Sequence, residues 1–504
     1  ESVSNNGVDW FGWDAQSNAI LGWSGSGLRV YLDDWTVAEI GPRIMGTPDL
    51  EAEQSSVETL DGRVLQTDAA GNALWMWRNG DNGGLDAIMS QSFWDRGRAA
   101  LNITAQDVST TAWQAISVNG QSLSVGGDWA GSPIARDEFM SRVDPAYALM
   151  LTGTVRGDNV PITTVDMPRS QGYNQTVPAT GVAPANPSDQ VVSAAAPLAY
   201  IVNAYRDDLG LPLVPIITQC HGISGIPIED IDDDPATGSG DTIVWNNLRF
   251  WYEQVVAQAA VQEKSLTVPW HDWVHGTSAQ SYAPGVYEAA LWSYQKDFRA
   301  LLSSLGAEGP AVFIMSQPGG NANTSGSTAY WHVCDEILNF CEAGGGVLAT
   351  PEYAYQIADN NVHPNAWWTI QFQEVKGRAI AEVEAGRPWT IRRPKAKVNG
   401  NTVTLDFDSL RPGEYLVLHD PARYGGQGID AYAGFEAVGA SITGMEIRGR
   451  QVILVCSAAP TGIRYAMQKQ NVSGFAGNVW TAHRGLLRTS DVWPSKLLPD
   501  VDLY

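Results

Sequence analysis

Basic residues are scarce in this chain: 31 Lys and Arg stand against 55 Asp and Glu over 504 residues, a formal net charge of −24. A field of that sign repels phosphate backbones and anionic membrane surfaces unless a local basic patch reverses it. The densest basic stretch, Arg392-Arg393-Pro394-Lys395-Ala396-Lys397, lies between two patterned regions and reads as a solvated linker. Nucleic acid is therefore not an expected partner. Long hydrophobic runs are missing too, so no helical membrane insertion is expected. Cysteine is rare: Cys220, Cys334, Cys341 and Cys456 are too few for a disulfide scaffold and lack the paired spacing of a metal motif, so they read as small buried hydrophobes. Cys334 and Cys341 would stand about 10 Å apart along one helix, beyond disulfide reach. No fixed-period repeat is present. The opening Glu1-Ser2-Val3 carries neither an initiator Met nor a signal-peptide core. That predicts a trimmed N terminus, and an extracellular, periplasmic or virion-associated setting is expected rather than a cytoplasmic one.

What the chain does have is a globular composition, 44% hydrophobic and 17% charged, in a length that calls for more than one core. Residues 1–108 are rich in Gly, Asn, Asp and Trp, with short alternating runs such as Leu28-Arg29-Val30-Tyr31-Leu32, and predict a β-rich domain. Across 109–393 short apolar strands alternate with helical periodicity, as over Asn246–Ala260 and Val286–Leu302, which is how a parallel α/β sheet is written. Expected strands there include Ala115–Val118, Leu213–Ile217 and Ala311–Met315. Residues 156–192, rich in Pro, Thr, Ser and Asn, form a long excursion that rims a site or covers a sheet edge. From 394 to 504 the pattern returns to β, as in Thr402–Phe407 and Gln451–Val455.

The most specific local feature is Val118-Asn119-Gly120-Gln121-Ser122-Leu123-Ser124-Val125-Gly126, directly after an apolar strand. A serine at such a corner presents its hydroxyl at the carboxyl end of the sheet, where open α/β folds bind ligands. Three further stretches follow in order: Gly222-Ile223-Ser224-Gly225-Ile226-Pro227-Ile228-Glu229 past a strand, Trp273-Val274-His275-Gly276-Thr277 before a helix, and Asp359-Asn360-Asn361-Val362-His363-Pro364 before the last helix. A serine hydroxyl is inert at neutral pH without an adjacent base.

These four stretches resemble the conserved blocks of SGNH hydrolases, in the Gly-Gln-Ser form of the sialate O-acetylesterase group of carbohydrate esterases. Pieces after 394, among them Gly462–Ala466 and Leu487–Asp491, resemble that group's C-terminal β region, so the likeness spans about 110–491. The resemblance implies a flavodoxin-like three-layer α/β/α domain with a parallel sheet, flanked by N-terminal and C-terminal β-rich domains. It implies deacetylation of an acetylated carbohydrate through an acyl-enzyme, with no metal or organic cofactor. Ser122 would be nucleophile and His363 its base. The oxyanion would be held by the N–H of Ser122, by Gly225 (or Gly222, because the block holds extra residues) and by His275, standing where the family has Gln. His271 and Asp272 read as structural.

The family places an aspartate three residues before the base, to fix its tautomer and stabilise the cation formed. This chain has Asn360 there. Either Asp359 swings in, a backbone carbonyl orients His363, or the site is weak or inactive. The last case motivates an alternative, a carbohydrate-binding or receptor-recognition module, such as a viral fibre, on an esterase fold. Asp230, Asp232, Asp234 and Asp241 mimic calcium-loop spacing, but Pro235 stands where the turn needs Gly, so a solvated acidic rim is expected. The 20 Trp can stack on sugar rings, though core packing accounts for the larger share.

Overall fold

The computed structural model describes the chain from 108 onward except 156–158, 160, 167–174, 234–242, 280–281, 320–331, 358–362, 390–391, 412, 420–431, 468–478, 481–484, 500 and 504, and before 108 only the strands. Of Val479–Trp480 only the backbone is described. The chain divides into two compact units, 1–105 and 106–504.

In the first unit β1 (Asp9–Trp13), β2 (Ala19–Ser24) and β3 (Gly27–Leu32) form an antiparallel meander. A second meander holds β4 (Gln54–Leu60), β5 (Arg63–Asp68), β6 (Ala73–Asn79) and β7 (Leu85–Met89). Leu60 of β4 pairs with Arg63 of β5, and the intervening sequence, Asp-Gly, is a dipeptide suited to a two-residue hairpin.

The second unit is built on β8 (Ala112–Gly120), β10 (Ala148–Thr152), β11 (Gly181–Pro184), β13 (Ile216–Cys220), β14 (Ser265–Thr267), β15 (Trp270–Val274), β16 (Val312–Gln317) and β17 (Gly346–Pro351). Their order is β11-β10-β13-β8-β15-β16-β17, with β14 beside the start of β8, and all pairings but that of β11 are parallel. A short pair, β9 (Gly127–Asp128) and β12 (Val191–Val192), lies apart from it. From β8 the chain lays β10 two places away on one side and then β13 between them, before crossing to build the other side outward through β15, β16 and β17. The reversal lies between β8 and β15, and crevices outside the carboxyl ends at such a reversal are where open α/β sheets bind ligands.

Alternation along β8 divides the core in two. Ile116 and Val118 join the cluster with α2 (Ala195–Asp208) and α6 (Ala366–Glu384), while Trp113 and Ala115 join that of α3 (Ile243–Val261), α4 (Val286–Ser304) and α5 (His332–Glu342). The result is helices on both faces of a mostly parallel sheet. The helices expected over Asn246–Ala260 and Val286–Leu302 form with slightly extended ends. The strand expected over Leu213–Ile217 begins only at Ile216 and runs to Cys220. Pro215 has no N–H to give a ladder, so the continuous ladder starts after it, and Leu213 makes only an isolated bridge to Val108.

After 394, Lys395–Asn399, Thr402–Asp406, Gln451–Cys456 and Ile442–Arg448 form an antiparallel sheet in that order. These strands, expected as a separate domain, lie within the second compact unit yet keep a cluster of their own around Val403, Leu405, Phe435, Val452 and Leu454. All four cysteines are unbridged.

Candidate functional site

Strand β8 ends at Gly120, and the chain turns through Gln121 into the four-residue helix α1 (Ser122–Val125). Gly120 is required by close approach: a Cβ there would run into the carbonyl of Val274, the last residue of β15. The same contact lets Gln121 N–H donate to that carbonyl at 3.1 Å, so the turn is tied to the neighbouring strand. Ser122, at the sheet's reversal point, is 6% exposed. Among the described residues neither its hydroxyl nor its N–H has a hydrogen-bond partner.

The segment carrying His363 reaches this turn through backbone contact. Gly127, just past α1, lies so close to Pro364 and Asn365 that a Cβ on it would overlap their backbone atoms. Asn365 then does two jobs: its Nδ2 donates to Gly131 O at 2.9 Å, and its Oδ1 accepts from Trp368 N at 3.3 Å to cap α6. His363, half-buried, stands two residues before that cap. Asp359 and Asn360 lie outside the described residues.

The glycine block follows β13. Gly222 is buried against α1, where a Cβ would strike Ser124 Oγ, and its N–H donates to Cys220 Sγ at 3.5 Å. Gly225 adopts φ +69° with nothing near its Cα, on an exposed turn. Of the two candidates, Gly222 is the one brought against the nucleophile segment.

His275 sits at the end of β15 and is 1% exposed. Burial pulls its pKa down to about 4, so the ring is neutral at pH 7 and carries one N–H. Nε2 lies 2.8 Å from Ile226 O, which can only accept, and Nδ1 lies 2.8 Å from Tyr287 Oη, which must then donate. As placed, the ring has no N–H left for an oxyanion.

His271 and Asp272 are fully buried and point to opposite faces. His271 joins a polar chain under the sheet, with Ser117 Oγ at 2.8 Å and Tyr294 Oη at 3.2 Å. Asp272 meets Lys376 Nζ of α6 at 2.5 Å, and both side chains are wholly inaccessible. Burial pushes Asp272 up and Lys376 down, and their contact opposes both.

Two polar groups here were not legible from the sequence. Gln121 Oε1 accepts from Ser278 N at 3.0 Å and Ser278 Oγ at 2.8 Å, linking the residue before the nucleophile to the loop after β15. Glu352 follows β17 directly and accepts from Ser316 Oγ at 3.1 Å. Burial raises its carboxyl to about 7, against the opposing pull of Ser316 and Lys376. The only available signal was an acid after an apolar strand, which is too common to single out. Among the described residues no cluster of three or more His, Cys, Asp or Glu is arranged to hold a metal ion. No described helix is long and apolar enough to cross a membrane.

No family model matches the chain, and no curated protein matches it in sequence. Among solved structures it is similar to a carbohydrate acetylesterase from Xanthomonas citri, at 17% identity and TM-score 0.45 over 88% of this chain and 94% of that one. It is also similar to a protein from Arabidopsis thaliana, at 14% identity and TM-score 0.30 over 54% of this chain and 98% of that one. A third similarity is to NanS, at 13% identity and TM-score 0.28 over 48% of this chain and 79% of that one.

Proposed function

We propose that this chain is a serine esterase of the SGNH type that removes O-acetyl groups from a carbohydrate. Ser122 Oγ attacks the acetyl carbonyl while His363 takes its proton, forming a tetrahedral oxyanion. His363 returns the proton to the departing sugar oxygen as the C–O bond breaks, and water, activated by the same histidine, releases acetate from Ser122. The chemistry calls for no cofactor.

The observation that carries this reading is the contact of Gly127 with Pro364 and Asn365, because it joins the turn after Ser122 to the segment of His363 at the sheet's reversal point. Segments about 240 positions apart in sequence are thereby adjacent, and the carboxyl end of such a sheet is where open α/β folds bind ligands. The test is hydrolysis of p-nitrophenyl acetate and acetate release from an acetylated polysaccharide. Ser122→Ala and His363→Ala are expected to lose at least about 10³-fold in kcat. Asn360 in the family's aspartate position favours a second reading, a glycan-binding module without turnover. Saturable glycan binding by wild-type protein that hydrolyses neither substrate would establish it and sink the esterase.

A further inference from the structure

The residue before the proposed nucleophile is held more tightly than the nucleophile itself. Gln121 is 3% exposed. Its carbonyl accepts from Ser124 N at 2.9 Å and Ser124 Oγ at 2.6 Å, and its N–H donates to Val274 O. Its side-chain oxygen accepts two hydrogen bonds from Ser278, which fill both lone pairs. That settles the amide's orientation: Oε1 faces Ser278, and the NH2 group is turned elsewhere. Neither Nε2 hydrogen has an acceptor among the described residues. Such a donor pair, on a side chain whose oxygen is fixed, is free to serve something that enters the site.

His275 cannot be that donor in this arrangement, since its single N–H goes to Ile226 O and its ring stacks on Tyr287 at 10° and 5.7 Å. Ser278 Oγ, 3.4 Å from His275 Nε2, stands between the histidine and Gln121. The loop after β15 therefore reaches the site by holding the oxygen of Gln121, which leaves the Nε2 hydrogens of Gln121 unused by any described residue.

We propose that Gln121 Nε2 donates a hydrogen bond to the oxyanion formed at Ser122, in place of His275, and that Ser278 is the positioning residue that aims it. This rests on Ser122 being the nucleophile. Gln121→Glu is the discriminating variant, because it keeps an acceptor for Ser278 and the same shape while replacing the donor with an oxygen. It is expected to lower kcat on p-nitrophenyl acetate by about 10²- to 10³-fold with KM changed less than about threefold. Affinity for a boronic acid, which mimics the tetrahedral adduct, is expected to fall in parallel with kcat/KM. Ser278→Ala is expected to lose about tenfold in kcat through misorientation. Should Gln121→Glu fail to fold, Gln121→Met carries the same expectation. A folded Gln121→Glu or Gln121→Met enzyme with kcat and boronate affinity within about twofold of wild type overturns the proposal. If Ser122→Ala instead remains active and wild-type Ser122 resists a fluorophosphonate label, the esterase reading itself falls.

Discussion

Glu352 sits at the carboxyl end of β17 with its carboxyl raised to about 7 from an ordinary 4.5, and burial is the main cause. Between those values the folded protein holds a proton that the unfolded chain has released. Stability therefore falls as pH rises from about 4.5 to about 7, at up to about 1.4 kcal/mol for each unit separating the two states. Asp166, buried and raised to about 6, adds a slope of the same sign. Glu352→Gln is expected to flatten this decline without abolishing it. Denaturant unfolding of both proteins at about pH 5 and about pH 7.5 checks the point, and identical pH slopes would exclude the assignment.

Residue types at the site were legible before residue directions were. Ser122, His275 and His363 could be singled out because their neighbours in sequence resemble known blocks. That the only N–H of His275 goes to a carbonyl depends on Ile226, which no local pattern ties to it. Gln121 stands within a motif, but its partner Ser278 lies 157 positions on, after the neighbouring strand β15. Proline was legible in principle and still misplaced a strand, because the apolar run Leu213–Ile217 outweighed the missing N–H of Pro215.

At the scale of elements, α6 shows how a sequence that breaks the amphipathic rule still makes a helix. Glu374, Lys376, Arg378 and Glu382 are all buried on it, so each needs a partner from another element. Lys376 finds Asp272 on β15, and Glu374 accepts from Tyr205 Oη of α2 at 3.0 Å. Lys376→Met leaves Asp272 buried without its cation and is expected to cost about 3–5 kcal/mol. Adding Asp272→Leu is expected to recover most of it; a double variant no more stable than the single one would show that the pair is not coupled. Close approach of α2 and α6 depends on Gly377, where a Cβ would press on Ile201 Cγ2. Gly377→Ala gains about 1 kcal/mol of helix propensity but overpacks a tight interface, a loss of about 1–3 kcal/mol. A lowered melting temperature is the expected net result, and an unchanged or raised one would mean the helices can part freely.

At the scale of the molecule, composition alone predicted several cores, and alternation of strands with helices predicted a parallel sheet covered on both faces. The reversal of strand order between β8 and β15 was not readable, because it depends on which strands become neighbours. The role of the C-terminal strands was also hidden. Arg378 Nη2 donates to Asp491 Oδ2 at 3.0 Å, and its guanidinium lies 3.8 Å from the centre of the Trp493 ring. Arg411 meets the same Asp491 carboxylate at 2.5 Å. Glu374 accepts from Ser495 Oγ at 2.5 Å and Lys496 N at 2.6 Å. The charges buried along α6 are thus completed by residues about a hundred positions further on, and the sheet layer is not self-sufficient at the boundary near 393. Residues 109–393 alone would leave Arg378 with only Glu382, at 3.5 Å, and Glu374 with only Tyr205, a combined loss of about 3 kcal/mol or more against a typical domain stability of about 5–15 kcal/mol. That fragment is expected to be insoluble or molten, whereas 106–504 is expected to melt cooperatively. Circular dichroism and thermal melts of the two fragments decide between them, and a cooperatively folded 109–393 would show that the C-terminal strands merely rest on α6.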